Sequence, residues 1–334
     1  MNVKNILNGI ALCMLLMALC PCACKNKDGE SSSSGAQILM GFSQIGAESA
    51  WRKRNTQSVL EAAEQNGIQL IFDDAEQKQA NQLKAIRSFI VYRVDVIAFV
   101  PIVEDGWDNV LREAKEAHIP VLIVDRKIKT SDESLYAGYI GEDSIEEGRK
   151  AARFLLQKYE DVRGPLNIME ITGTVHSSVA RERSAGFREV LNGYPKFSIV
   201  YSESADFLRS RGQEVTEQII QFNGALKIGS KPVHIIFSHN DAMTLGLLDA
   251  LNHHNINAGT DVTIVSIDAE QKAINALKDG RINCEIECNP ELGPELMRLV
   301  KTIANRNTIP KFTYIKEQAF TETDDLSAIG IRKY

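Results

Sequence analysis

Short apolar runs that alternate with amphipathic segments constrain the fold of this chain more than any other feature. The runs are rich in Ile and Val: AQILMGF, IQLIFDD, DVIAFVP, PVLIVD, PLNIMEITG, FSIVYSE, VHIIFSHND and VTIVSID. A continuous run, in contrast to an alternating one, is typical of a strand that is buried on both faces of a parallel sheet. The sequence therefore predicts parallel strands and places helices between them.

The segments between the runs have the three- and four-residue apolar spacing of helices. The stripes are Val59, Leu60 and Ala63; Leu83, Ile86 and Ile90; Val110, Leu111 and Ala114; Phe187, Val190 and Leu191; and Met243, Leu247 and Leu251. The pairs Asn66–Gly67 and Asp279–Gly280 are typical of helix ends. Repeated strand–helix units predict an α/β fold with doubly wound parallel sheets.

The length of 334 residues exceeds what one hydrophobic core usually holds. A break falls in AGYIGEDSIEEG, residues 137–148, where a strand ends and Asp143 is expected to cap a new helix. The strand–helix units on the two sides of this break look alike. We therefore expect two similar lobes with a short crossing between them.

The N-terminus has the pattern of a secretory signal. A positive charge precedes the apolar run ILNGIALCMLLMALC, and Cys24 then follows a small residue, as at the lipidation site of bacterial lipoproteins. Cys20 and Cys22 are alternative lipidation sites, and a plain secretory signal is the other interpretation. We expect a signal peptide over residues 1–23, a lipid on Cys24 and a flexible tether over residues 24–35.

Charge and cysteine content exclude several classes of protein. The net charge of −6 argues against binding of nucleic acid or of an anionic membrane surface, which needs basic patches. Beyond the N-terminus only Cys284 and Cys288 remain. In an extended strand they would lie about 13 Å apart, too far for a disulfide, so we expect free, half-buried thiols. His253–His254 has no metal-ligand spacing, and we expect neither a metal nor a cofactor.

Polar and aromatic residues follow many of the apolar runs. In an open parallel sheet such positions lie beyond the carboxyl ends of the strands, where ligands bind. The candidate ligand-binding residues are Gln44, Glu48, Trp51, Arg52, Asp125, Arg126, Thr172, Arg181, Asp206, Phe207, Asn240 and Asp268. They include no nucleophile beside a base and no phosphate-binding loop. A binding site is therefore expected in place of a catalytic one.

This combination of side chains suits a sugar. Each sugar hydroxyl both donates and accepts hydrogen bonds, so carboxylates, amides and guanidinium groups can all pair with it. The apolar face of a sugar ring packs on an aromatic ring, and a ligand enclosed between two lobes loses its water.

Several candidates also have a purely structural interpretation. Asp241 is expected to be an N-cap, and Asp125 could cap a helix or pair locally with Arg126. Trp51 could be a core residue and Phe207 could serve packing alone. Arg181 belongs to a predicted helix with a second arginine two positions on, so one of the two is expected to face solvent.

Eight segments resemble a known family. They are GFSQIGAESAWR, DDAEQKQANQLKAIRSFI, VDVIAFVPIVEDGWDNVLREAK, IPVLIVDR, GTVHSSVARER, SADFLRSRG, SHNDAMTLG and SIDA. From about Gln37 to Thr323 the chain is similar to the ribose- and galactose-type solute-binding proteins of bacterial sugar ABC transporters, above all to those that bind galactofuranose. The resemblance implies two doubly wound lobes joined by a three-strand hinge, the type I periplasmic binding protein fold.

The resemblance also implies how the chain is divided. The first lobe would span residues 36–141 plus 289–317, and the second residues 142–288 plus 318–334. A monomer, lipid-anchored outside the cytoplasm, would close on one monosaccharide and deliver it to the permease of an ABC importer.

On the first lobe, the resemblance implies that Asp125 and Arg126 grip ring hydroxyls. Glu48, Trp51 and Arg52 would form a wall with one apolar face between a donor and an acceptor. Such a wall suits a ring with an exocyclic polyol tail, so we expect a furanose form such as galactofuranose.

On the second lobe, the implied contacts are Arg181, Asp206, Phe207, Asn240 and Asp268. Phe207 would stack on the sugar, with Asp206 beside it. The chain departs from the family at Cys288, where many relatives carry Gln, and this removes one amide contact.

Three other functions fit parts of the sequence. Repressors of the lactose-repressor family share the two-lobed core, but they carry a helix-turn-helix domain where this chain has a signal and a tether. A sugar-acting enzyme is a second alternative, because doubly wound folds host many enzymes and paired acids can hydrolyse glycosides. A receptor that presents its sugar to a membrane sensor is the third, and the sequence does not separate it from transport.

Overall fold

The structure is a computed structural model that describes residues 37–334. The α-helices are α1 (Ala50–Gln65), α2 (Gln79–Val91), α3 (Asp108–Glu116), α4 (Ser144–Lys158), α5 (Ser178–Leu191), α6 (Arg209–Asn223), α7 (Asp241–His253), α8 (Gln271–Lys278) and α9 (Gly293–Ala304). The strands are β1 (Leu39–Gln44), β2 (Gln69–Asp74), β3 (Val96–Phe99), β4 (Val121–Val124), β5 (Gly138–Gly141), β6 (Leu166–Thr172), β7 (Phe197–Ser204), β8 (Lys227–Ile228), β9 (Lys231–Pro232), β10 (Ile235–Ser238), β11 (Thr263–Asp268), β12 (Cys284–Glu287), β13 (Phe312–Tyr314) and β14 (Ala319–Thr321). The predicted signal peptide, the predicted tether and the predicted lipidation site at Cys24 lie outside the described residues.

The strands form two six-stranded sheets and one small hairpin. The first sheet has the order β13-β5-β4-β3-β1-β2, and all its pairs are parallel. The second has the order β14-β12-β11-β10-β6-β7, with only β14 antiparallel. Helices alternate with the strands along the chain, which confirms the predicted α/β fold. We call the parts built on these sheets the first and second lobes.

The chain crosses between the two sheets three times. The crossings lie between β5 and α4, between β12 and α9, and between β13 and β14. Helix α9 packs on α1 and therefore belongs to the first lobe. We propose lobe limits at 36–141 plus 289–317 and 142–288 plus 318–334, because the crossings fall near these positions.

Strand order sets where a ligand can bind. In the first sheet β1 pairs with both β2 and β3, and in the second β6 pairs with both β7 and β10. The direction of winding reverses at these points, so the loops beyond the carboxyl ends of the strands diverge and leave a crevice. The two crevices lie on the sides of the lobes that face each other.

Helix ends follow their sequence signals with one exception. Asp143 caps α4 by accepting from the Glu146 amide at 3.1 Å, and Gly67 and Gly280 have positive φ after α1 and α8. The expected cap at Asp241 is wrong. Asn240 caps α7, while the Asp241 carboxylate is buried and accepts from the Glu270 amide at 2.6 Å.

Burial differs from the sequence predictions at Leu60 and at the two cysteines. Val59 and Ala63 of α1 are buried, but Leu60 is exposed. Leu60 follows Val59 directly on the helix, so its side chain points away from the sheet. Cys284 and Cys288 are free, as expected, but both are buried and not half-buried. Among residues 37–334, no helix combines the length and the apolar character needed to cross a membrane.

Candidate functional site

A polar cleft lies between the lobes at the ends of the strands. The space between its walls is about 320 Å³, which includes the solvent at its open mouth. The lining residues are Glu48, Ser49, Trp51, Arg52, Asp125, Arg126, Val179, Arg183, Phe207, Asn240, Asp268 and Cys288. Both lobes contribute, so a ligand here would touch the two halves of the molecule.

Eight of the twelve predicted residues line this cleft: Glu48, Trp51, Arg52, Asp125, Arg126, Phe207, Asn240 and Asp268. The structure places the other four outside the lining. Gln44 is buried and donates to Asn55 and Thr56 of α1, both at 3.1 Å. Thr172 and Asp206 hydrogen-bond within the loops around β6 and β7, and Arg181 pairs with Glu104. Direct contact of any of these residues with a ligand stays a prediction.

Charged groups of the first lobe form one buried network. Arg52 donates from Nη2 to Asp125 Oδ2 at 2.6 Å and from Nε to Glu48 Oε1 at 3.1 Å. Arg126 lies 3.9 Å from the same Glu48 oxygen and donates to the Ile102 carbonyl at 3.3 Å. These bonds fix the rotamers of the carboxylates, so their remaining lone pairs are aimed into the cleft before any ligand arrives.

Burial and neighbouring charge affect the two arginines differently. Burial acts to lower the pKa of Arg52, but the charges of Asp125 and Glu48 outweigh it and raise the pKa. Burial, together with repulsion from Arg52, lowers the pKa of Arg126 to about 10. Both side chains remain cationic at neutral pH. Neighbouring carboxylates balance the charge of Arg126 less well than that of Arg52.

One guanidinium nitrogen of Arg52 has no partner within residues 37–334. Arg52 Nη1 is buried and makes no hydrogen bond to the described residues. A buried, charged donor without an acceptor is costly and rare in folded proteins. A ligand hydroxyl in the cleft would supply the missing acceptor.

Trp51 lies in the first turn of α1, where Ser49 is the N-cap. Its indole is buried and packs with the hydrophobic cluster of the second lobe. Nε1 donates to the Cys288 carbonyl at 2.7 Å, and the main-chain amide donates to Glu270 Oε1 at 3.0 Å. Trp51 is therefore both a wall of the cleft and a contact between the lobes.

The second lobe presents an aromatic ring, an amide and an ion pair. The Phe207 ring faces the Arg126 guanidinium at 5.2 Å across the cleft. Asn240 uses its Oδ1 to accept from the Met243 amide at 3.0 Å, which leaves its Nδ2 donor for a ligand. Arg183 binds Glu147 at 2.7 Å and lies 3.9 Å from Asp268. Burial raises the pKa of Asp268, and the charge of Arg183 opposes that shift.

Residues with a strained backbone conformation occur at several places in the fold, and both lining aspartates are among them. Asp125 has φ 61° and Asp268 has φ 126°, both in the region that favours glycine. Such conformations are costly and persist where the surrounding structure enforces them, often at ligand sites. Here they turn each carboxylate from its strand end into the cleft.

Four lining residues were not among the predicted set: Ser49, Val179, Arg183 and Cys288. Ser49 lies between two predicted residues, and its role as N-cap could have been inferred from the start of α1. Arg183 shares α5 with Arg181 and faces inward in its place. In the sequence, Cys288 stood out as a position where many relatives carry Gln, so that one amide contact is removed.

Ionic contacts also join the lobes outside the cleft, along one rim. Arg181 Nη2 lies 2.9 Å from Glu104 Oε1, and Lys127 Nζ lies 2.8 Å from Glu182 Oε2. The Lys127 amide donates to Ser178 Oγ at 2.7 Å. We call these contacts the rim latch.

A two-lobed α/β architecture with a polar cleft between the lobes defines a class of binding proteins that enclose small ligands. The periplasmic binding protein domain matches residues 40–305, and the chain belongs to this family. Its fold is accordingly the type I fold of that family, as the sequence predicted.

The relatives are named for sugars. The galactofuranose-binding protein YtfQ of Escherichia coli (strain K12) is 37% identical over 308 residues, which cover 90% of this chain and 95% of that protein. A Mycobacterium smegmatis protein in complex with β-D-fucofuranose is 41% identical with a TM-score of 0.82, covering 87% of this chain and 93% of that one.

A third relative is the periplasmic binding protein component of the arabinose ABC transporter from Shewanella sp. ANA-3, bound to α- and β-L-arabinofuranose. It is 40% identical with a TM-score of 0.81, covering 87% of this chain and 94% of that one. The Escherichia coli and Shewanella relatives are described as binding proteins, which confirms the expectation of a non-enzymatic role.

Proposed function

We propose that this protein captures a monosaccharide in a furanose form, such as galactofuranose, between its two lobes and delivers it to an ABC importer. The observation that carries the proposal is the buried Arg52 Nη1 in a cleft already lined with oriented carboxylates. A neutral ligand with several hydroxyl groups satisfies such a donor and the carboxylates together. Three furanose-linked relatives support the ring form.

We propose that the eight predicted residues in the cleft lining contact the sugar and that the other four act through them. Trp51 and Phe207 come from opposite lobes and offer apolar surfaces to the ring. Asp125, Asp268 and Asn240 would pair with its hydroxyls. Gln44 would act indirectly, because its amide holds α1 through Asn55.

Ring-locked sugars test the ring form. Methyl β-D-galactofuranoside and methyl β-D-galactopyranoside are isomers that differ in ring size and cannot interconvert. We expect calorimetric titration to give saturable binding of the furanoside at least tenfold tighter than of the pyranoside. Equal affinities would overturn the furanose form, and no saturable response to any pentose or hexose would overturn sugar binding itself. Mass spectrometry of ligand released from the purified protein by denaturation identifies the natural sugar.

We also propose that the protein is lipidated at Cys24 and held to the outside of the membrane through the tether. The family supports a location outside the cytoplasm, and the sequence pattern before Cys24 supports the lipid. Mass spectrometry of the membrane-extracted protein should find a diacylglyceryl group on an N-terminal Cys24. An unmodified N-terminus at another residue would contradict this assignment.

A further inference from the structure

The three crossings between the lobes meet at one cluster of side chains. Glu142 follows β5, Cys288 follows β12, and Glu317 lies between β13 and β14. A carboxylate oxygen of each glutamate and the sulfur of Cys288 all lie within 4.8 Å of one another. Each crossing therefore contributes one group that can ligate a metal.

The cluster contains one carboxylate oxygen that accepts no hydrogen bond from the part of the chain that the structure describes. Glu142 is 1% exposed, and its Oε1 has no hydrogen-bond partner among the described residues. Glu317 uses Oε1 to accept from the Asn289 amide at 3.0 Å. A buried carboxylate oxygen without a donor is unfavourable unless a cation or a proton compensates it.

The local charge favours a cation. Burial raises the pKa of Glu142, Cys288 and Glu317, and neighbouring carboxylates, Glu147 among them, raise all three further. The charges of Arg183 and Lys150 oppose these pKa shifts without cancelling them, and both side chains also have other partners. Arg183 binds Glu147, and Lys150 donates to the main-chain carbonyl of Glu317 at 2.9 Å. Three acids this close cannot all ionise unless an added positive charge balances them.

We propose that Glu142, Cys288 and Glu317 bind one divalent cation of the Zn²⁺ class at the hinge. Thiolate sulfur and carboxylate oxygen are both zinc ligands, and three protein ligands leave a fourth position open. Cys288 also lines the sugar cleft, which gives the ion a route of entry. Binding displaces the protons of the thiol and the carboxyl groups. The ion would then tie the three crossings together directly beneath the ligand.

The described residues contain a second group of possible metal ligands, and the experiment must distinguish it from the hinge cluster. On the surface of the second lobe, Glu217 pairs with His253 at 2.9 Å and with His254 at 2.6 Å. These contacts already satisfy the carboxylate, so this group carries no proposal. It can still bind added metal, and the experiment therefore needs a signal specific to sulfur.

Cobalt(II) supplies that signal, because a cobalt–thiolate bond gives an intense near-ultraviolet charge-transfer band that histidine and carboxylate ligands do not give. The protein is prepared metal-free in the His253→Ala/His254→Ala background and titrated with Co²⁺. We expect the band to saturate at one equivalent and to disappear on addition of Zn²⁺. Cys288→Ala should abolish it, whereas Cys284→Ala, which removes the other buried thiol, should leave it unchanged.

Glu317→Gln tests the carboxylate ligand without removing the thiol. We expect it to weaken Co²⁺ binding at least tenfold while circular dichroism and sugar binding show that the protein is folded. A wild-type protein without the band at saturating Co²⁺ would overturn the proposal, and the three acids would then share protons instead. A band that persists in Cys288→Ala would overturn it as well.

Discussion

The Arg52–Asp125 ion pair is buried and also lies in the lining of the cleft. Both side chains are buried, and the two groups lie 2.6 Å apart. Replacement of Arg52 by alanine leaves the carboxylates of Asp125 and Glu48 buried without their cation. Arg52 lies in the first turn of α1, in the wall of the cleft.

Arg52→Ala should lower both sugar affinity and stability. Loss of a charge-assisted hydrogen bond predicts at least about tenfold weaker binding, and breaking a buried ion pair costs about 3–5 kcal/mol of unfolding free energy. Calorimetric titration and thermal unfolding measure the two effects. Arg54→Ala is the matched control, because Arg54 pairs with Glu291 and Glu61 outside the cleft. If Arg52→Ala binds sugar as tightly as this control, Arg52 is not part of the site.

Gly173 holds the stacking ring in place. A Cβ at this position would lie 1.9 Å from Phe207 Cζ, so the ring rests directly on the glycine. Gly173→Ala should push the Phe207 ring into the cleft and weaken sugar binding about tenfold or more. Gly193→Ala is the control, since nothing lies within 4 Å of its added Cβ. An unchanged affinity in Gly173→Ala would show that the Phe207 ring does not contact the sugar.

One side chain at the start of α7 both caps the helix and reaches the cleft. Asn240 caps the helix through Oδ1 and offers Nδ2 to the cleft. Asn240→Asp keeps the cap, since Asp and Asn are equally good N-caps, but it removes the donor. We expect weaker sugar binding with a nearly unchanged melting temperature. Asn240→Ala should lose the donor and also about 1 kcal/mol of capping energy. Equal sugar affinity of wild type and Asn240→Asp would limit Asn240 to capping.

The sequence predicted the strands that are buried on both faces of a sheet. It did not predict the short strands at the sheet edges. The apolar runs that became β1, β3, β4, β10 and β11 stand out because every residue in a central strand meets a helix or a neighbouring strand. Strands β13 and β14 are three residues each and partly exposed, and they form only because β5 and β12 offer open edges. Local sequence does not encode such a partner.

The sequence also did not predict which side of a helix faces the cleft, and this limited the prediction of site residues. Arg181 and Arg183 are two positions apart on α5, so they point to nearly opposite sides. The sequence places both on one helix, but packing of α5 against α4 decides which one reaches the cleft. Residues at strand ends, such as Asp125 and Asp268, do not depend on a rotation of this kind, and they were found.

The molecule as a whole should close when it binds. Ligand groups lie on both lobes, so a sugar that touches both favours the closed arrangement by its additional contacts. Small-angle scattering should therefore give a smaller radius of gyration at saturating sugar. A scattering curve that does not change at saturation would contradict hinge closure.

The rim latch should tune this closure without touching the sugar. Arg181→Ala removes a partly exposed pair between the lobes, and such pairs contribute up to about 1 kcal/mol. We expect a sugar affinity about two- to fivefold weaker, mainly through faster dissociation. Arg87 is as exposed as Arg181 and pairs with Glu113 inside the first lobe, so Arg87→Ala should have no effect. Identical dissociation rates in stopped-flow measurements of the two variants would contradict a role of the latch in closure.

The late position of β13 and β14 in the chain affects how the protein can fold. Each is an outer strand of a different sheet, and the residues between them form the last crossing. Neither sheet can reach its full width until almost the entire polypeptide has been synthesised. Contacts that join such distant positions slow folding. Both sheets of a nascent chain therefore stay one strand short until β13 and β14 emerge.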